Sequence, residues 1–312
     1  MSDQKKYRLV TRSDFDGLVC AMLLKQMDMI DDILFVHPKE MQDGNVPVTD
    51  RDITTNLPYV PGAGMVFDHH SSELIRMGGE KPDNYIIDPE ADSAARVVYD
   101  HFGGKERFPN VSEDIMTAVD KADAARFSDD DILYPKGWDL LSFLMDPRTG
   151  LGNFKTFTIS NYDLMMALID YCADHTVEEI LALPDVKERV DLYFNQESKH
   201  RTQIQAHGKL TNNLIVLDFK YVDTVYAGNR FTVYALFPQC NISMHVLWGA
   251  DRSKTVFALG KSIFNRTSKT DIGALCLEYG GGGHHGAGTC QVNNEDANRV
   301  RQELIDRITA DG

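Results

Sequence analysis

The chain has 312 residues, 43% of them hydrophobic and 25% charged, a composition that excludes wholesale disorder and fibrous repeats and allows two domains of ordinary size. Its 32 basic and 47 acidic side chains leave a formal charge of −15. Such a surface repels long polyanions, because non-specific nucleic-acid affinity comes from phosphates meeting Lys and Arg. Duplex nucleic acid is thus an unexpected partner, whereas a small phosphorylated ligand in a locally basic pocket is compatible. No apolar run reaches the roughly 18 residues of a membrane span, and Met1-Ser2-Asp3-Gln4-Lys5-Lys6 lacks a signal-peptide core. Cys20, Cys172, Cys240, Cys276 and Cys290 are widely spaced and form no Cys-x-x-Cys pair. A reducing, cytoplasmic setting without a membrane partner is expected.

In the first third, apolar runs alternate with helical periodicities, the pattern of a parallel sheet with crossover helices. Tyr7-Arg8-Leu9-Val10-Thr11 reads as a buried strand and residues 17–27 as the helix after it. Further strands are expected over 33–37, 52–56, 65–68 and 85–87. Helices are expected over 92–102 and 112–125, the latter capped by Ser112. From Asn161 to about His207 the pattern is helical, with Pro184 opening a long helix that ends near 208–213. Strands are then expected over 214–219, 231–237, 243–248 and 256–261. A helix over 271–279, a glycine cluster and a closing helix over 295–308 complete the chain. The expected class is α/β: a parallel-sheet N-terminal domain over 1–185, a helical connector over 186–209, and a smaller α/β C-terminal domain over 210–312.

Asp14-Phe15-Asp16-Gly17 lies where the first strand hands over to the first helix, and ligands of open α/β sheets collect at the carboxyl ends of strands. Two carboxylates two residues apart can hold a divalent cation there; helix capping by Asp14 is the competing reading. Asp68-His69-His70 ends a later strand and offers metal ligands, an orienting carboxylate and a group able to handle protons. Asp120 and Asp123, near a helix end, matter only if the earlier groups define a site. The segment from Gly280 to Gly288 holds six glycines in nine residues, with His284 and His285 among them. Such a run exposes backbone N–H groups and admits close approach, as phosphate-cradling loops require.

Asp-x-Asp-Gly after strand one, Asp-His-His after a later strand and a distal Gly-Gly-Gly-His-x-x-Ala-Gly together resemble the DHH phosphoesterase superfamily with its DHH-associated C-terminal domain. The resemblance runs from Tyr7 to the final helix. It implies a Mn²⁺- or Mg²⁺-dependent hydrolase of phosphodiester or phosphoanhydride bonds in small substrates: a short oligonucleotide, a cyclic dinucleotide or polyphosphate. The active site is implied to lie in the cleft between the two domains. Asp14, Asp16, His69 and Asp123 match the metal ligands, with Asp120 in reserve for the last. His70 matches the group contacting the reacting phosphate, with Asp68 supporting it. Gly281, Gly282, Gly283 and His284 match the substrate-binding loop, which His285 flanks, and Lys261 falls near where many relatives place an arginine for the phosphate.

Two positions depart from the pattern. Relatives place a further ligand four or two residues before the first Asp, where this chain has Val10 and Arg12. They also place a metal-bridging Asp where Asn56 stands. The two changes add the charge of one divalent cation, so one ion at most is expected, with Arg12 and Asn56 lining the substrate site. The alternative is a catalytically impaired phosphate or nucleotide binder of the same fold. A single-strand nucleic-acid-associated protein is a third reading, which the charge opposes. Short single-stranded oligonucleotides stay among the expected partners, and a homodimer is left open.

Overall fold

Leu9, Val10 and Thr11 are fully buried in β1 (Tyr7–Thr11), the strand from which the first unit is built. It pairs in parallel with β2 (Ile30–Phe35) on one side and β3 (Asp52–Thr55) on the other. β4 (Met65–Asp68) and β5 (Tyr85–Ile87) extend the sheet, giving the order β2-β1-β3-β4-β5 with every pairing parallel. The order reverses at β1, so the carboxyl ends of β1 and β3 flank the crevice where doubly wound sheets bind ligands. This computed structural model describes residues 6–154, 156–249 and 252–312.

The unit comprises the chain up to Phe127 together with Pro135–Pro147 and Gly152–Val190. Its core packs Leu9, Ile53 and Phe67 of the sheet against Leu18, Met22 and Leu23 of the helix Phe15–Gln26 and Val98 of the helix Ala94–His101. Phe15–Gln26 is apolar nearly all round and ten of its residues are buried, as expected of a helix enclosed by neighbours. Ser93 and Ser112 cap Ala94–His101 and Glu113–Asp123 through their side chains. These caps fix where both helices begin.

The second unit comprises Ser128–Tyr134, Arg148–Leu151 and Asp191–Gly312. The helix Pro184–His207 is continuous, so the change of unit falls inside it. Six strands follow: β6 (Gly208–Thr211), β7 (Leu214–Asp218), β8 (Ile242–Trp248), β9 (Lys254–Lys261), β10 (Gly282–His284) and β11 (Ala287–Asn293). Their order is β10-β11-β9-β8-β7-β6, with only β7 and β8 parallel. The helices Ile272–Glu278 and Ala297–Asp311 bury Ile272, Cys276, Val300 and Leu304 with Met244 and Phe257 of the sheet. Among the described residues no helix is long and apolar enough to cross a membrane.

Two expectations for this unit need correction. Residues 231–237, rich in aromatic and β-branched side chains, were expected as a strand, yet Thr232–Leu236 is a helical turn. The Asn229 side chain accepts the Phe231 N–H at 2.9 Å, and the Tyr234 hydroxyl bonds Ser243 and Gly260, each at 2.8 Å. Those tertiary anchors override strand propensity. Residues 208–213, expected only to end the long helix, form β6 and its turn, because β7 offers an edge that residues 208–211 pair with.

Gly17 is required by close approach. A Cβ there would lie 2.1 Å from the Arg12 carbonyl oxygen and 2.7 Å from Thr11 Oγ1. Gly17→Ala is expected to lower stability by about 1–3 kcal/mol, the usual cost of overpacking. Urea unfolding checks this; an unchanged midpoint would show that the turn after β1 yields freely.

Candidate active site

Thr11 and Thr55 share a hydroxyl hydrogen bond of 2.7 Å, which ties β1 to β3 just before Arg12 and Asn56. Asp14, on the turn after β1, caps the first helix by accepting the Gly17 N–H at 3.0 Å. Its other carboxylate oxygen lies 3.1 Å from Arg12 Nε, while Asn56 Nδ2 approaches the helix-capping oxygen at 3.5 Å. Asn56 holds φ at +54°, a left-handed conformation that Asn tolerates better than most residues. Its Oδ1 is buried without a hydrogen-bond partner among the described residues.

Asp16 faces inward and is 1% exposed. Its carboxylate accepts the backbone N–H groups of Ala94 and Ala95 at 3.0 and 2.7 Å, the free donors at the start of the helix Ala94–His101. Donors and helix dipole favour the charged form. Burial and the negative charge of Asp123 outweigh them and raise Asp16 to about 7, with His69 opposing. Asp120, the reserve candidate, is used elsewhere. It accepts from Ser93 Oγ at 2.7 Å and from Arg96 Nε and Nη2 at 3.0 and 2.7 Å, and so joins the helix that carries Asp123 to the one that holds Asp16.

His69 follows β4. Its Nδ1 lies 3.2 Å from the Ala91 carbonyl oxygen, which accepts a proton and so selects the Nδ1–H tautomer in the neutral ring. Nε2 then carries a lone pair. It comes within 2.9 Å of Asp123 Oδ2, yet it is buried and makes no directed hydrogen bond. That is the relation of two ligand atoms aimed at a common point. Donor atoms of Asp16, His69 and Asp123 all lie within 4.8 Å of one another, whereas Asp14 is turned towards Arg12, Asn56 and the helix start. Burial lowers the His69 pKa, but Asp123, Asp16 and Asp68 outweigh it and raise it to about 9. The same pairing lowers Asp123 against the effect of its burial.

Asp68 is fully buried at the end of β4. It accepts from the His69 and His70 backbone N–H groups at 2.8 and 3.3 Å and from the Tyr85 hydroxyl at 3.0 Å. His70 Nδ1 lies 2.7 Å from Asp68 Oδ1, so the carboxylate orients the ring and leaves Nε2 available. Burial lowers the His70 pKa, but the bond and charge of Asp68 outweigh it, so the net shift is upward. The Tyr85, Ala91, Ala94 and Ala95 contacts were not foreseen, since backbone donors and a core tyrosine carry no motif. The Ser93 cap was the available signal, because it fixes a helix start after β5.

In the second unit the glycine cluster forms the hairpin β10–β11. A Cβ on Gly281 would lie 2.1 Å from Thr289 O, and one on Gly283 2.2 Å from Ala287 O, whereas at Gly282 nothing lies within 4 Å. Close packing therefore accounts for Gly281, Gly283 and Gly288, whereas Gly282 and Gly280, the latter at φ +74°, leave open space. His284 belongs to β10 by its backbone, and its side chain lies outside the described residues. Lys261 Nζ lies 2.7 Å from His285 Nε2 and donates to Ser268 O at 3.1 Å. His285 Nδ1 is 3.5 Å from Asp271. Burial lowers the Lys261 pKa, with Asp271 opposing.

These motifs and both sheets define the class: the chain belongs to the DHH phosphoesterase superfamily and is a hydrolase of phosphodiester bonds. It is similar to the solved structure of PggH, a pGpG-specific phosphodiesterase from Vibrio cholerae, at 59% identity over 98% of this chain and 100% of that one, with a TM-score of 0.85. CDC45 from Entamoeba histolytica shares the fold at 10% identity, covering 98% of this chain and 96% of that one with a TM-score of 0.54. RecJ from Thermus thermophilus, solved with Mn²⁺, shares it at 11% identity and a TM-score of 0.50, over 98% of this chain and 53% of that one. No family model matches the chain, and none of the curated proteins does.

The shifts have a consequence for the metal-free protein. A raised His69 pKa contributes stability that is complete below 6.5 and lost as pH rises through about 9; raised Asp16 loses its contribution through about 7. With a chelator present, the melting temperature is expected to fall between pH 6.5 and 9.5. His69→Gln should flatten the upper part of that slope, and an equal slope in the variant would contradict the pairing.

Proposed function

We propose that the protein hydrolyses the internal phosphodiester of pGpG, or of a dinucleotide much like it, with a divalent cation at Asp16, His69 and Asp123. The convergence of those three donors carries the reading, and the 59% identity to the Vibrio phosphodiesterase supports the substrate. Two carboxylates and an imidazole suit Mn²⁺, since carboxylate and water favour hard ions and imidazole the later first-row metals. The orphaned His69 Nε2 and the costly Asp16 charge both fit a cation, which would take the lone pair and offset the buried negative charge. When bound, such an ion lowers the pKa of its water and offsets phosphate charge.

The chain's own groups would do the rest. Asp68 fixes the His70 ring, so that His70 Nε2 can donate to a phosphate oxygen or pass a proton to it. Ala91 O keeps His69 in its ligand tautomer. The Ala94 and Ala95 amides hold Asp16 in one orientation. In the second unit, Lys261 is proposed to bind substrate phosphate, positioned by His285 and the Ser268 carbonyl oxygen, with the open backbone at Gly282 beside β11.

Turnover of pGpG in the presence of Mn²⁺ is the test, with chelation abolishing it. Asp16→Asn and His69→Gln should each lower kcat by about 10²-fold or more. Tight pGpG binding without turnover would instead establish the impaired-binder reading. Because His69 and Asp16 must shed protons, Mn²⁺ affinity should rise from pH 6 to 9, by up to about tenfold per pH unit for each proton displaced. Titration calorimetry in buffers of different ionisation enthalpy counts those protons. Lys261→Ala should raise KM about tenfold, as the loss of one charged hydrogen bond does, with the fold unchanged by circular dichroism. An unaltered KM would assign the lysine to structure.

A further inference from the structure

Hydrolysis of a phosphodiester develops negative charge on the attacking, leaving and non-bridging oxygens, and many such enzymes meet it with two metal ions. Among the described residues the donors form one three-ligand group. Asp14, the fourth carboxylate at this sheet edge, is already taken on one oxygen by Arg12 Nε at 3.1 Å and on the other by the Gly17 N–H at 3.0 Å. We propose that Arg12 is a catalytic cation, its guanidinium standing in the place of a second metal ion: it neutralises Asp14 through Nε and offers its outer N–H groups to a non-bridging oxygen of the scissile phosphate.

Charge and geometry both carry this. Asp14, Asp16 and Asp123 bring three negative charges, which one divalent cation and the Arg12 guanidinium neutralise. A second divalent ion would leave an excess of positive charge with the guanidinium in its way. Asn56, at the end of the neighbouring strand, adds no charge and presents an amide to Asp14 at 3.5 Å. The Arg12 side chain is 32% exposed and Asp14 19%, so the pair is open enough to meet a ligand. A solvent-screened, partly exposed ion pair of this kind adds little to stability. A guanidinium held at Nε keeps its Nη edge as a planar fork suited to phosphate oxygens.

The inference rests on the metal-dependent reading above, and its test separates the two. Mn²⁺ bound per chain is counted by electron paramagnetic resonance of the free ion, for the 312-residue chain and its variants. The wild type is expected to hold one Mn²⁺, and Arg12→His combined with Asn56→Asp to hold two. Arg12→Ala should still hold one and keep its thermal midpoint, while kcat for pGpG falls about 10²–10³-fold, the usual loss for one transition-state donor. Arg12→Lys should restore part of that loss, since it returns the charge without the fork. Two Mn²⁺ per wild-type chain, or unchanged kcat in Arg12→Ala, would overturn the proposal. Absence of any bound Mn²⁺ would overturn it together with the metal-dependent reading. If one Mn²⁺ binds but pGpG is not cleaved, the substrate assignment falls and the count in the double variant decides the role of Arg12.

Discussion

The first unit is organised around a carboxylate buried where it is costly. Asp16 is 1% exposed and carries the charge repulsion of Asp123, so its ionised form is disfavoured despite two backbone donors. Those donors are not incidental. Of the N–H groups left free in the first turn of Ala94–His101, Asp16 takes those of Ala94 and Ala95, and Ser93 Oγ takes that of Arg96. The helix start and the acid therefore satisfy each other. Ser93 also donates to Asp120, which Arg96 grips, so the helix carrying Asp123 is tied to the same point. An arrangement that lowers stability without a cation and is held this firmly is the arrangement expected of a preorganised ion site.

Much of this was legible in the sequence, for identifiable reasons. Four strands of the first sheet were anticipated near their bounds because buried parallel strands read as short apolar runs, whereas the edge strand β2, expected over 33–37, runs over Ile30–Phe35 with Asp31 and Asp32 exposed. Asp-x-Asp-Gly and Asp-His-His stood out because they end such runs. What could not be read is which carboxylate of a pair faces inward. Asp14 and Asp16 differ by two residues, and the difference was made by Gly17, whose missing Cβ lets the backbone pass 2.1 Å from where that atom would lie beside Arg12 O. Asp14 then becomes the cap, and Asp16 is buried in the first turn of the helix beside Phe15.

The second unit was harder for a different reason. Residues 231–237 have the composition of a strand, and nothing local announces that Tyr234 will bond Ser243 and Gly260, more than eight residues away. The glycine cluster presents the converse case. Its composition matched a ligand loop, yet Gly281 and Gly283 are also demanded by the hairpin's own close packing. One residue type serves two physical ends, so composition alone could not apportion them. Gly282, where a Cβ would meet nothing, is left free by packing, and Gly280, equally open, holds a φ of +74°.

The chain's charge of −15 bears on the size of ligand that these groups can recognise. At physiological ionic strength, charges beyond roughly 8 Å are largely screened. A dinucleotide bound near Asp16 would therefore be governed by the groups beside it: a cation at that site, the Arg12 guanidinium and His70. A longer strand would extend past that screened neighbourhood and lay further phosphates along an acidic surface with few cations to release counterions against. Each added nucleotide would bring repulsion without a matching contact. Local positive charge in a chain of net negative charge would thus favour a short anion before any base is read, through the same screening that would let so acidic a protein bind a phosphate ester.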